Sequence, residues 1–340
     1  MGRTLFTKLW DSHVVKDLGD GWALLHIDRH LLHDLSGAPA LSEMGKRKLA
    51  VHNPELTFAT PDHVVSSAPG RNGQTYPVGA MLWAGLKHGA AKAGMRFFEL
   101  GQPGQGIVHV MGPELGIVLP GTSVVCGDSH TCTNGGMGAL AFGIGSSEAV
   151  HVLATQTLRQ QRPKNMRINV EGALPSGVTA KDIILHLLGK LGASAGVGYA
   201  IEFAGSTIRA LSIEARLTLC NLSVEMGAKF GLVAPDDTTF AFLRDKPYAP
   251  QGPAFDRALE HWRQLLSDDD ARFDAEFTLD ANSIVPTLTW GTSPDQAIAI
   301  DQPIPNLNMA HDEAQRDEWQ AALDYMGLQA GGSLLGTPVD

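Results

Sequence analysis

The chain is short of cysteine, of aromatic side chains and of positive charge, and each shortage removes a class of protein. Three cysteines in 340 residues, Cys126, Cys132 and Cys220, cannot make a disulfide framework, and a reducing cytoplasmic setting fits them best. Their spacing is not that of a C-x-x-C metal knuckle, so buried apolar thiols are the default reading. Lys and Arg total 26 against 36 Asp and Glu, a net charge of −10, and no basic block stands out. Nucleic acid is therefore not an expected partner. No apolar run nears the ~20 residues that span a bilayer, and the start, Met1 to Asp11, leads into no signal-peptide core, so no membrane association is expected. Internal repeats and low-complexity tracts are missing too.

What is there is a chain that is 44% hydrophobic, enough at this length to bury more than one core. Eleven of its 13 histidines lie at or before His186, so polar chemistry concentrates in the first half. Helical and strand-like patterns alternate, the sign of α/β architecture. Met95 to Leu100, Gly106 to Val110, Thr122 to Val125 and Arg167 to Glu171 read as strands. Met81 to Ala93, stopped by Gly94, reads as a helix, as does the stretch from Ala139 to Leu158. Thr179 and Asp182 form a capping box for a helix over Ile183 to Leu191. Further helices are expected over Ser212 to Lys229, Phe255 to Leu266 and Glu313 to Met326. The polar, proline-interrupted stretch Arg159 to Asn165 reads as a linker and sets the first boundary of three segments, 1–165, 166–290 and 291–340.

The densest chemistry lies in Cys126-Gly-Asp-Ser-His-Thr-Cys-Thr-Asn-Gly-Gly-Met-Gly138. An apolar strand that ends in Asp128, Ser129 and His130 and then turns on glycines puts reactive side chains at the carboxyl edge of a sheet. Open α/β folds bind their ligands there. A carboxylate and an imidazole two positions apart suit proton transfer or the holding of a metal-bound water. The plainer reading is that Asp128 caps the loop and His130 bonds the backbone. Gly127 and the later glycines leave room for a ligand to approach closely. Gly127-Asp-Ser129 also matches the nucleophile block of GDSL-type esterases, but no Asp in the chain has a His three residues later. Gly136-Met-Gly-Ala-Leu-Ala141 satisfies the G-x-G-x-x-A dinucleotide fingerprint, yet a long polar loop separates it from the strand and no acidic residue follows at the ribose-binding distance.

Asp62-His63 is a second carboxylate–imidazole pair, set just after a residue that proline forces to be extended. His109, on a short apolar strand, reads by itself as a hydrogen-bonded core histidine. Asn221 and Glu225 are spaced i, i+4 on an otherwise apolar helix, and are either a satisfied buried pair or a site.

Taken in order, these segments resemble the aconitase superfamily, and within it the large-subunit family of 3-isopropylmalate dehydratases. The resemblance rests on Thr4 to Asp11, Ile27-Asp-Arg-His-Leu31, Asp62-His63, Gln105 to Glu114, Leu119 to Thr131 and Gly138 to Gly145. It continues through His151 to Leu158, Thr179 to Ile183, Leu217 to Asn221, Glu225 to Lys229 and Thr289 to Thr292. It implies three-layer α/β/α domains with mostly parallel sheets. It also implies a hydro-lyase that removes water from 2-isopropylmalate and adds it back as 3-isopropylmalate, a step of leucine biosynthesis. A small dicarboxylate substrate, a small-subunit partner in a heterodimer and a 4Fe–4S cluster acting as Lewis acid come with it.

By the same resemblance Asp62 and His63 lie beside the substrate hydroxyl. His109, Asp128 and His130, with Ser129 between them, orient and protonate the water. Asn221 and Glu225 close the cluster side. The family's cluster cysteines belong to a third domain that begins past the equivalent of Thr337 to Asp340, and Cys126, Cys132 and Cys220 match none of them. Residues 291–340 are then a lead-in to that domain, and these 340 residues alone are expected to be inactive. Sister hydro-lyases (homoaconitase, citramalate or dimethylmalate dehydratase) are the alternatives within the class. A cluster-free, non-catalytic paralogue, and a mononuclear-metal hydrolase using His109, Asp128 and His130, are the alternatives outside it.

Overall fold

The computed structural model describes residues 2–338. Asp340, on which the expectation of a missing domain turns, lies outside the described residues.

Helix α1 (Leu5–His13) comes first, then strands β1 (Val14–Gly19) and β2 (Trp22–His26), a hairpin whose turn residues Asp20 and Gly21 both take positive φ. Strand β3 (Arg29–His33) runs straight into α2 (Asp34–Lys46), followed by β4 (Thr57–Thr60) and α3 (Pro77–Ala93). Next come β5 (Arg96–Phe97), α4 (Val108–Glu114), β6 (Ser123–Cys126), β7 (Leu140–Gly143), α5 (Ser146–Thr155) and β8 (Thr157–Gln161). Strands β3 to β7 form one parallel sheet in the order β5-β4-β3-β6-β7. The chain steps outward from β3 to β4 and β5, then returns to lay β6 and β7 on the other side. That reversal between β3 and β6 is a topological switch point, where loops on either side part and leave a crevice. Leu31, Leu32, Ala59, Val124 and Val125 have no exposed surface, the continuous apolar strand character that a parallel sheet covered on both faces requires. Strand β8 pairs with β2 in a separate antiparallel sheet.

The second half has β9 (Lys164–Glu171), α6 (Ala180–Leu191), β10 (Tyr199–Ala204), α7 (Ser206–Ala210) and α8 (Ile213–Asn221). Then follow β11 (Phe230–Val233), α9 (Asp237–Leu243), α10 (Pro253–Trp262) and β12 (Ala275–Asp280). Its sheet is also parallel, in the order β11-β10-β9-β12. The short pair β13 (Thr287–Thr289) and β14 (Ala297–Ala299) and the helix α11 (Glu313–Met326) complete the described chain. The described residues form three apolar cores. The first, around Leu31, Val125 and Phe142, also takes in Phe230 of β11 and Trp262 of α10. The second gathers around Ile168, Ile183 and Ile201. The third is small, built on Trp290, Ile304, Ala322 and Leu323.

The mixed α/β architecture with mostly parallel sheets is as expected, and no helix among the described residues is long and apolar enough to cross a membrane. Four local expectations fail, each for a physical reason. Leu140 to Gly143 is a strand paired with β6, because its apolar run is covered on both faces and Gly143 and Gly145 delay the helix to Ser146. The segment around His109 is the helix α4; a five-residue apolar run has no period to tell strand from helix. Arg159 to Asn165 is no linker, since only Arg162 and Pro163 separate β8 from β9, and Arg159 and Gln161 are the outward positions of an alternating strand whose Gln160 points inward. The helix expected through Lys229 ends at Asn221. There Ser223 Oγ bonds the Cys220 carbonyl at 2.6 Å and competes with the helical ladder, and Gly227 turns away at φ 80°.

Candidate active site

Three neighbouring strands deliver a carboxylate and an imidazole each to the switch-point crevice. Strand β3 ends in His33 and α2 opens on Asp34. Strand β4 leads through Pro61 to Asp62 and His63, and β6 leads to Asp128, Ser129 and His130. Helix α4 adds His109 from the side, and the turn after α8 brings Glu225 from the second half.

The centre of the arrangement is Asp128. Its Oδ2 lies 3.1 Å from His63 Nε2 and 3.4 Å from His109 Nε2, and its Oδ1 accepts the His130 backbone N–H at 2.7 Å. His63 reaches the other way as well, with Nδ1 2.6 Å from Asp62 Oδ1. Asp62 is itself fixed, because its Oδ2 accepts the Val108 N–H at 2.7 Å. Donating from both ring nitrogens requires a doubly protonated imidazole. The hydrogen bonds to Asp128 and Asp62 outweigh burial and push the His63 pKa up to about 10. Burial works against the charge on Asp128, yet its contacts with His109, His63 and the His130 amide hold it far below the usual carboxylate range. Asn134 Nδ2 lies 3.2 Å from His109 Nδ1, which fixes the ring with Nε2 facing Asp128. On the far side His130 Nε2 is 3.1 Å from Glu225 Oε1, and Ser129 Oγ is 3.2 Å from His130 Nδ1.

Asp62, His63, His109, Asp128, Ser129, His130 and Glu225 thus form one connected chain of contacts. Asn221 stands one step outside it: its Nδ2 donates to Thr133 Oγ1 at 2.9 Å, and it shares no helix face with Glu225, since α8 stops at Asn221. The glycines of the loop do different work from that expected. A Cβ on Gly127 would sit 2.4 Å from Ser36 Cβ, and one on Gly135 would sit 1.8 Å from the Gly231 carbonyl oxygen. They let protein approach protein, packing the loop against α2 and against β11.

Cys126, Cys132 and Cys220 are fully buried. Burial pushes the thiols of Cys126 and Cys220 well up and that of Cys132 to about 11, so all three stay protonated at neutral pH. Among the described residues, the group of ligand-type atoms within 4.8 Å of one another is His33, Asp34, Asp62 and His63, with no cysteine in it. The cysteines of this stretch do not fit a 4Fe–4S cluster. The His–Asp group is not open to a metal either: both oxygens of Asp34 accept backbone N–H groups, and both oxygens of Asp62 are engaged.

The sequence reading missed His33 and Asp34. The His33 ring stacks on that of His63 with centroids 3.8 Å apart and planes 12° apart. Burial lowers its pKa, the neighbouring His63 charge adds to this, and its Nε2 lies 3.1 Å from the Gly127 carbonyl oxygen. The sequence carries a signal for this pair: His33-Asp34 combines the same residue types at the end of an apolar strand as Asp62-His63 and Asp128 with His130.

A model of the aconitase family (aconitate hydratase) matches residues 7–340. The 3-isopropylmalate dehydratase large subunit 1 of Bradyrhizobium diazoefficiens is 58% identical over 339 residues, covering 100% of this chain and 71% of that protein. Among solved structures, a histidinol dehydrogenase from Elizabethkingia anophelis superposes with a TM-score of 0.16 at 10% identity, over 83% of this chain and 62% of that one. That overlap is too poor to carry any argument about fold.

Proposed function

The chain belongs to the aconitase family, and from that premise we propose that it acts as the large subunit of a 3-isopropylmalate dehydratase. Such a hydro-lyase takes water from 2-isopropylmalate and returns it to the neighbouring carbon of the alkene. The observation that carries the reading is His63 bridging Asp62 and Asp128 in a family whose reaction needs a proton delivered to a departing hydroxyl. With a pKa of about 10, His63 is an acid at neutral pH, not a base. It gives one of its two ring protons to the hydroxyl as the C–O bond breaks, the hydroxyl displacing a carboxylate from that nitrogen while the other carboxylate keeps the ring oriented. In the return direction His63 takes the proton back from the incoming water. His109 and the His130–Glu225 pair hold the rest of the shell around that oxygen. The proton on the neighbouring carbon needs a base from outside this set.

The aconitase family generally uses a 4Fe–4S cluster, which would need ligands other than Cys126, Cys132 and Cys220. No Lys or Arg contacts the site side chains among the described residues, so a dicarboxylate would be anchored by cations from elsewhere. The second point supports a small-subunit partner, and both are reasons to expect that residues 2–338 do not turn over alone. The same reading takes 1–165 and 166–290 as two aconitase-like domains, 291–340 as part of a third, and the cytoplasm as the compartment. The test supplies a cluster-bearing third domain and a cognate small subunit together with iron and sulfide under anaerobic conditions, and follows ultraviolet absorbance of the alkene from 2-isopropylmalate. Alkene formation that His63→Gln abolishes is the expected result. Preference for a tricarboxylate would shift the reading to a homoaconitase, and undiminished turnover in His63→Gln would remove the proposed acid.

A further inference from the structure

Between β4 and α3 the chain runs from 61 to 76 without helix or strand, yet it carries Asp62 and His63. Asp34 is what this segment rests on. Its carboxylate is fully buried at the first residue of α2. Oδ1 accepts the backbone N–H of Asp62 at 3.1 Å and of His63 at 2.9 Å, and Oδ2 accepts that of Val64 at 2.7 Å. Three consecutive amides, from a segment about 30 residues away, therefore converge on one side chain. No Lys or Arg pairs with Asp34 among the described residues, and ring nitrogens of His33 and His63 stand within 4.8 Å of its carboxylate. A buried carboxylate is costly without compensation, and here the compensation is three amide dipoles, the amino end of α2 and the nearby His63 charge. Hydrogen bonds to an ionised acceptor are roughly twice as strong as neutral ones, so the turn is held firmly. A neutral side chain without acceptors would leave three buried N–H groups unpaired.

We infer that Asp34 is a positioning residue of this site, holding the Asp62–Val64 turn so that His63 bridges Asp62 and Asp128. Fixing the amides of Asp62 and His63 fixes where both side chains start. Asp34 itself reaches no reacting atom: its two oxygens face the turn's backbone. Asn in its place keeps one acceptor for Asp62 and His63 but turns an amide N–H₂ towards the Val64 N–H, so the turn is pushed away at one end. Ala removes all three bonds.

The inference rests on the reading of His63 as the proton donor, but its test is read without turnover. Histidine titrations followed by NMR on the whole chain compare the unchanged protein with Asp34→Asn and Asp34→Ala. Leu188→Ala, in the second core, serves as a control for general destabilisation. The expected result is a fall in the His63 pKa by about one unit or more in Asp34→Asn, further in Asp34→Ala, and none in Leu188→Ala. A folded Asp34→Asn with lowered Tm and an unmoved His63 titration makes the residue merely structural and overturns the inference. Should both Asp34 variants fail to fold, amide exchange in the unchanged protein decides. Protection of the Asp62, His63 and Val64 amides comparable to that of β4 upholds the inference, and exchange at loop rates overturns it. In assembled enzyme Asp34→Asn is expected to lower kcat by about 100-fold with KM nearly unchanged. Absence of turnover in every variant, with the titration shift present, would fault the dehydratase reading and leave Asp34's role standing.

Discussion

At the scale of single residues, the site is governed by the mutual charge of His63 and Asp128. Asp128→Asn removes the strongest of the contacts that keep His63 protonated, so its pKa is expected to fall towards the ordinary histidine range. Turnover in assembled enzyme should drop by about 10²–10⁴-fold. Carbon-13 histidine NMR reads the first effect and alkene absorbance the second. The sign of the stability effect follows from the raised pKa. His63 contributes stability that is fully present below its unfolded value of 6.5 and is lost as pH rises through about 10. Urea denaturation across that window should show an alkaline decline that is shallower in His63→Gln. A second residue-scale expectation concerns packing. A Cβ at position 135 would lie 1.8 Å from a backbone oxygen that no rotamer change can move, so Gly135→Ala is expected to cost about 3 kcal/mol in urea unfolding. The residue types at 62, 63, 128 and 130 announce proton chemistry by themselves. That Asp128 is the hub depends on His63 and His109, elsewhere in the chain, and that Gly127 and Gly135 serve packing depends on neighbours more than 90 positions away in sequence.

At the scale of elements, Arg216 shows how a charge fixes a helix. It is fully buried on α8, with Nη1 and Nη2 each 2.7 Å from a separate oxygen of Asp236, and it also bonds the Arg209 and Leu211 carbonyls. Asp236 in turn caps α9 by accepting from Thr238 and Thr239. Arg216→Ala strands a carboxylate and two carbonyls, and is expected to cost about 3–5 kcal/mol by chemical denaturation, with α8 and α9 losing amide protection together. Helices with strong end signals were legible in sequence: Gly94 at φ 71° stops α3, and the Asp182 carboxylate accepts the Thr179 N–H at 2.7 Å to open α6. The misread elements share a cause. Around Val108 and Leu140 the apolar run is too short to show a period, so its partner decides its conformation, whereas near Ser223 a side-chain bond to the backbone ends the helix.

At the scale of the whole molecule, the site is a junction. Two parallel sheets meet where the loop after β6 packs against α8 and β11, and only that packing puts Glu225 beside His130. The third core, with four fully packed side chains, is the smallest and should open first. Hydrogen exchange is expected to release the α11 amides under conditions that leave β3 and β6 protected; equal protection would show that the third core unfolds only with the rest. By itself the sequence determined the α/β alternation, the family and the chemical character of the residues that face the crevice. These are carried by local pattern and residue type. The tertiary structure decided which of those residues touch, that His63 is held as a cation, that Asn221 stands apart and that Asp34 sits beneath the Asp62–His63 turn. Strand order sets these distances, and strand order is fixed by how buried faces pair across the fold, which no local stretch of sequence encodes.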